Sequence, residues 1–195
     1  FACALLLKGC FFQPQPEHIQ NICEIFQQYP DWYWDAKKTE QKWGVPVPIQ
    51  MAIMYEESGF KATAEPPPKK RVLKVIPWQR ETTALGYCQA LNGTWACYQS
   101  STGKYWSRND FAAASDFIGW YAGMAKQLSH ISPTDAYHLY LAYHEGLGGY
   151  HSKSFWRKPW LIHVAHSVEN RSVLYSRQLQ DCADKIPKPT VASSS

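Results

Sequence analysis

Two glutamates, Glu56 and Glu57, stand side by side where an apolar run (Val47, Ile49, Met51, Ala52, Ile53, Met54) gives way to Ser58 and Gly59. A carboxyl at the end of an apolar helix loses hydration, and its pKa rises. Held protonated near neutral pH, such a group can deliver a proton to a leaving oxygen, the first demand of glycoside cleavage. Neighbours on a helix point about 100° apart, so the two glutamates cannot both face one cleft. Farther along, Gln89, Tyr143, His144 and Glu145 add hydrogen-bonding and titratable groups, and Glu145 or Asp110 offers a second carboxylate if the chemistry needs one. His163 and His166 share a helix face at a spacing metals use, but no third ligand pattern accompanies them, so neither a metal nor another cofactor is expected.

The chain that must position these groups reads as mainly α, with few strand signals and no internal repeat. Over PEHIQNICEIFQQYP, Ile19, Ile22, Cys23, Ile25 and Phe26 share one helical face, which Pro30 closes. A second helix starts on Asp31 and ends at Gly44; a third carries the paired glutamates and leaves through Gly59. Residues 61–80 break the pattern with three consecutive prolines and a Lys-Lys-Arg run, which predicts a long loop or a small hairpin at Val72 to Ile76. Helical signals return over Thr82 to Ala90, Gly93 to Gln99, and Asn109 to about Leu128. Ser132-Pro133-Thr134-Asp135 predicts a helix start with a hydroxyl cap, and that helix stops at Gly146. A last helix is expected from about Pro159 to Cys182, with Leu161, Val164, Ala165, Val168, Tyr175 and Leu179 as its apolar stripe.

Three short motifs carry a resemblance. EESGF (Glu56 to Phe60), GYCQAL (Gly86 to Leu91) and LAYHEG (Leu141 to Gly146) resemble, in order and spacing, the signatures of the soluble lytic transglycosylase domain family, relatives of goose-type lysozyme. In that family they read Glu-Ser, Gly-Leu-Met-Gln and Ala-Tyr-Asn-Ala-Gly. The resemblance spans roughly residues 30 to 180 and implies a lysozyme-like single domain. It implies that Glu57 is the catalytic acid and base, that Ser58 orients the cleft, that Gln89 lies beside the sugar and that Tyr143 hydrogen-bonds the catalytic carboxyl; Tyr175 matches a further cleft tyrosine. Departures are Tyr87-Cys88 for Leu-Met, which changes the cleft floor, and His144-Glu145 for Asn-Ala, which adds a titratable pair. The implied reaction cleaves the MurNAc–GlcNAc bond of peptidoglycan without water, closing a 1,6-anhydro ring on the muramyl residue. One carboxyl suffices for such intramolecular attack, whereas most glycosidases need two at a fixed separation. Lysozyme-type hydrolysis stays open as an alternative, as does a catalytically idle wall-binding module of an envelope or secretion assembly.

The chain has 195 residues, enough for one domain with its own core. Its 15% aromatic content, with 9 Trp and 12 Tyr, suits either an aromatic core or a sugar-stacking cleft, for which Trp95, Tyr98 and Tyr150 are the candidate walls. The opening FACALLLKGC is too short an apolar run to span a bilayer. It resembles the end of a bacterial secretion signal with a lipobox, which makes Cys10 the expected lipidation site and the periplasmic face of the outer membrane the expected location. The expected division is therefore a signal remnant at 1–10, the enzyme domain at 14–185 and a disordered tail at 186–195. Removing the signal leaves Cys23, Cys88, Cys97 and Cys182. These allow three pairings, of which loop-closure logic favours Cys88 with Cys97 and Cys23 with Cys182, with four reduced core thiols as the alternative. The formal charge of +4 suits an anionic polymer or a membrane surface without selecting either. Nucleic acid is not an expected partner, since the Lys69 to Lys74 run comes without a reading helix or aromatic motif.

Overall fold

The computed structural model describes residues 13–65 and 83–189. Among them are seven α-helices: α1 (Ile22–Gln28), α2 (Pro30–Trp43), α3 (Val47–Ser58), α4 (Asn92–Thr102), α5 (Phe111–Ser129), α6 (Ala136–His151) and α7 (Pro159–Gln180). Short 3-10 turns follow α6 and α7 at Ser154–Arg157 and Ala183–Lys185. The fold is mainly α, as the sequence predicts. None of the described helices is long and apolar enough to cross a membrane.

The arrangement follows from which helices can tolerate water. α3 is apolar all round, and each residue from Val47 to Met54 is buried. A helix of that composition is stable only inside a domain. It packs along α7 and against α2 and α5, while α2 lies along α5 and α6 closes against α7 and α5. Most of the aromatic content goes into this core. Trp32 stacks on Phe111 with ring centroids 4.2 Å apart, and Trp95 and Tyr98 pack on Phe117 at 5.2 and 5.6 Å. Trp95 and Tyr98 are buried, so these two expected cleft walls are core residues instead.

Two buried polar clusters fix the register of the helices. On α3, Gln50 donates to the Ala36 and Val45 carbonyls at 3.0 and 2.8 Å, and its Oε1 accepts from Ser115 Oγ of α5 at 2.6 Å. Ser115 Oγ also lies 2.9 Å from Thr39 Oγ1 of α2, so one network ties three helices. Asp116 gathers Lys104, Lys42, Trp43 Nε1 and Tyr98 OH around one buried carboxylate. Burial alone raises its pKa, but these four donors overrule it and hold the group at about 2.

Helix boundaries follow local chemistry, with some departures from expectation. α2 begins with Pro30 in its first turn and ends at Gly44 in the left-handed conformation, φ +79°. Asn21 caps α1 by accepting from Cys23 N, which starts that helix later than its apolar face suggested. α6 is capped by the Asp135 carboxylate, which accepts from His138 N at 3.0 Å, rather than by a hydroxyl; Ser132 accepts from Thr134 N instead. Gly146 breaks α6 with φ +73° and ψ 159°, where the sequence places the stop, but helical turns resume to His151. The helix expected over Thr82 to Ala90 is absent from its described part. Leu85 and Ala90 pair across a single antiparallel bridge, and Gly86 and Gln89 adopt positive φ between them, which excludes a helix. The hairpin expected at 72–76, the lipidation site Cys10 and the end of the expected tail lie outside the described residues. The core reaches past residue 185: Ile186 is buried, and the Pro187 carbonyl accepts from Trp34 Nε1 at 2.6 Å.

Cys23 and Cys182 are disulfide-bonded, stapling α1 to the chain beyond α7 across a separation of 159 residues. The pairing of Cys88 with Cys97 does not form. Cys88 is buried in the core while Cys97 is exposed on α4, so the two thiols face different surroundings and both stay free. For the Cys23–Cys182 bridge, the chain-entropy model gives a loop this long about 5 kcal/mol of stabilisation, and losing a native disulfide typically costs about 2–5 kcal/mol. Urea titration of a Cys23→Ala/Cys182→Ala variant is expected to show a loss of that order, and adding reductant should lower the stability of the parent chain but not of the variant.

Candidate active site

The end of α3 is where its apolar face leaves the core. Met54 is fully buried, Glu56 is exposed, and Glu57 is partly open to solvent between them in character. Gly59 ends the helix in the left-handed conformation, its N–H donating to the Tyr55 carbonyl at 3.0 Å. Ser58 fastens this end to the 85–90 loop. Its Oγ lies 2.8 Å from the Tyr87 carbonyl and 3.2 Å from the Met54 carbonyl, and accepts from Phe60 N at 3.1 Å.

The 85–90 loop is built to come this close. Gly86 has φ +79°, and a Cβ there would sit 2.2 Å from the Arg108 carbonyl oxygen. Its N–H donates to Ala64 O, and the Gln89 amide donates to Ala64 O and Gly86 O at 2.8 and 2.9 Å. Gln89 therefore spends its donors on holding the loop. Arg108 clamps the outer edge through the Thr83 and Ala90 carbonyls, both at 2.8 Å.

α6 supplies the far wall. Tyr143 donates to the Cys88 carbonyl at 2.6 Å and packs against Tyr121 and Phe117. The hydroxyl that acts on the Glu57 carboxyl belongs to Tyr140, one helical turn earlier, which corrects the expectation for Tyr143. Burial pushes the Glu57 pKa from its ordinary 4.5 to about 8; the Tyr140 hydrogen bond works against that rise and the neighbouring Glu56 charge adds to it. The same dry surroundings push the Cys88 thiol up to about 12 and the Tyr143 hydroxyl well above its ordinary value.

The structure thus brings Glu57, Ser58, the Tyr87-Cys88-Gln89 backbone and Tyr143 to one place. Other expected residues go elsewhere. The Tyr175 hydroxyl donates to the Ile19 carbonyl and its ring is fully buried, so it clasps the N-terminal segment to α7 instead of lining a cleft. Glu145 is bound by Ser154 Oγ and by Lys158 Nζ at 2.7 Å, which keeps its carboxyl ionised and occupied; burial opposes this and is outweighed. Tyr150 lies beyond the Gly146 break and stacks on Phe155. Asp110 caps α5 through Ala113 N and borders a separate open cleft of about 690 Å³, lined also by Asp31, Asp35, Trp32, Trp106 and the Tyr87 side chain but not by Glu57. Sequence reasoning missed Tyr140, although its i, i+3 spacing to Tyr143 puts the two on adjoining parts of one helix face.

A neutral carboxyl is what this pocket favours, so ionisation of Glu57 should cost stability. In the unfolded chain the group loses its proton near 4.5, in the fold near 8. Between those values the native state binds more protons, and stability falls with rising pH by at most about 1.4 kcal/mol per unit; below and above that window the contribution is constant. Glu57→Gln lacks this slope. Urea unfolding from pH 4 to 9 is expected to show the variant gaining on the parent through pH 5 to 8 and then levelling off; parallel profiles would refute the dry-carboxyl account.

Comparison with known proteins agrees with the motifs. No curated protein and no solved structure matches the chain. The profile described as the transglycosylase SLT domain matches residues 1–182, a span that takes in α1 to α7, the disulfide and all three motifs. The chain therefore belongs to the transglycosylase SLT domain family.

Proposed function

We propose that the protein is a peptidoglycan lytic transglycosylase that cleaves the MurNAc–GlcNAc β-1,4 bond with Glu57 as its single acid and base. The observation that carries this reading is Glu57 itself: a residue at the opening end of α3 that is not fully buried, whose carboxyl burial nevertheless raises to a pKa of about 8. At neutral pH it holds a proton to give. Glu57 protonates the glycosidic oxygen as the bond from the muramyl C1 breaks. The resulting carboxylate then takes the proton of the muramyl 6-hydroxyl while O6 bonds to C1. The glutamate regains its proton, no water is consumed, and the product ends in a 1,6-anhydro ring.

The surroundings support a one-carboxyl scheme. Hydrolysis with two carboxyls places the second within about 5–10 Å on the opposite face of the bond. Glu145 is engaged by Lys158 and Ser154, Asp110 caps α5, and Glu56 is exposed with Arg171 acting on its charge. Ser58 and the 85–90 loop hold the helix end, and Tyr140 gives the developing carboxylate one hydrogen bond when the proton leaves. The Cys23–Cys182 bridge suits an oxidising compartment, so we place the site of action at the periplasmic wall, with Cys10 as the lipid anchor.

Two measurements test the reading. Incubation with purified sacculi followed by mass analysis of the released muropeptides should give anhydro products, lost by about 1,000-fold or more in Glu57→Gln. Reducing-end products of hydrolytic mass would assign a lysozyme, and binding without cleavage an idle module. The pH profile of kcat/KM should fall on its alkaline side with an apparent pKa near 8, because only the protonated acid starts the reaction. Tyr140→Phe removes a hydrogen bond that lowers this pKa, so the alkaline limb should move to higher pH.

A further inference from the structure

The contacts that begin at Glu57 continue along α6 to an open corner of the molecule. Tyr140, which bonds the carboxyl, lies 6.4 Å from His144 between ring centroids, and His144 meets Trp160 edge-on at 5.2 Å. Trp160 is 54% exposed, and Trp156 on the preceding 3-10 turn is 63% exposed. Most aromatic rings of the domain are used in packing; besides Tyr105 and Trp106, these two tryptophans are the aromatic side chains that stand well open among the described residues. Arg157 and Lys153 are exposed beside them, and neither side chain has an ion-pair or hydrogen-bond partner among the described residues.

The corner is held firmly. Lys158 at the start of α7 bonds Glu145, whose side chain is 4% exposed, and Ser154 Oγ bonds the same carboxylate. Glu145 sits directly after His144, so this ion pair fastens the 3-10 turn and the start of α7 to the helix that borders the catalytic carboxyl. The position where the family motif has alanine is used here to fix a surface.

We propose that this corner binds the peptide-bearing part of the glycan strand, with Trp160 and Trp156 stacking on sugar rings and Arg157 and Lys153 pairing with stem-peptide carboxylates. The inference rests on the proposed cleavage at Glu57, of which it names the preferred substrate. Two features select this occupant. The corner is joined to the carboxyl by ring contacts through the buried Tyr140 and the exposed His144, which puts it within reach of a strand held at Glu57. Its two unpaired cations complement the carboxylates that peptide-substituted strands carry and naked strands carry in smaller number. Tryptophan with arginine also suits an anionic lipid surface, and the experiment separates the two.

Affinities would be measured by calorimetry on the full chain carrying Glu57→Gln, so that no strand is cut during titration. The ligands are soluble glycan strands with their peptides and the same strands stripped by an amidase. Arg157→Ala/Lys153→Ala should weaken binding of peptide-bearing strands about tenfold and leave stripped strands unaffected, and Arg157→Lys should retain most of the affinity. Trp156→Ala/Trp160→Ala should weaken both ligands about tenfold. Unchanged affinities in both double variants would overturn the proposal. So would loss of binding to phosphatidylglycerol vesicles with strand binding intact, which would assign the corner to lipid. The muropeptides that the wild-type chain releases from sacculi judge the cleavage reading separately, so failure of either is visible alone.

Discussion

Keeping one carboxyl away from bulk water is the constraint around which this domain is arranged. α3 can bury eight consecutive residues only because α2, α5 and α7 surround it, and that enclosure reaches the last turn of the helix. Glu57 sits where the enclosure begins to open. One residue earlier on the helix, Glu56 is exposed; three earlier, Met54 is fully buried. The raised pKa is therefore a consequence of helix position, with Tyr140 moderating it and Glu56 adding to it. The proposed chemistry needs this intermediate setting, since a fully solvated carboxyl would be ionised at neutral pH and a sealed one would be out of reach of a sugar.

The groups around the carboxyl work mostly on the backbone. Ser58, Gln89 and Tyr143 each spend a hydroxyl or amide on a main-chain carbonyl of the 85–90 loop. Their role in this structure is to set the spacing of α3, the 85–90 loop and α6. Gly86 contributes in the same way, since the loop approaches Arg108 too closely for any side chain at that position. Gln50, Ser115 and Thr39 secure the same geometry from beneath by joining three helices through buried polar atoms.

Much of this was legible in the sequence, for physical reasons. The apolar run ending in Glu-Glu-Ser-Gly predicted both the buried helix and the perturbed carboxyl, because burial and a helix stop leave clear residue signatures. The Cys23–Cys182 bridge followed from loop-closure logic. The same logic failed for Cys88 and Cys97, because proximity in sequence says nothing about whether two side chains share a face. Positive φ at Gln89 could not be read, which turned an expected helix into a tight loop. Trp95 and Tyr98, candidate cleft walls by residue type, go into the core, because composition does not separate packing aromatics from stacking ones. Tyr140 was hidden by its neighbour: the motif drew attention to Tyr143, and only the three-dimensional placement of α6 decides which of the two hydroxyls meets the carboxyl.

The disulfide also sets how the domain bears load. The sulfur–sulfur bond joins Cys23 to Cys182, and the Tyr175, Gln178 and Arg171 side chains bind the segment just ahead of α1 to α7. Tension entering from a tether ahead of Cys23 divides at once between α1 and α7, while force between the two ends of the chain bypasses the intervening helices altogether. The helices that set the spacing around Glu57 lie inside that closed loop, so pulling on the segments outside it leaves them unloaded.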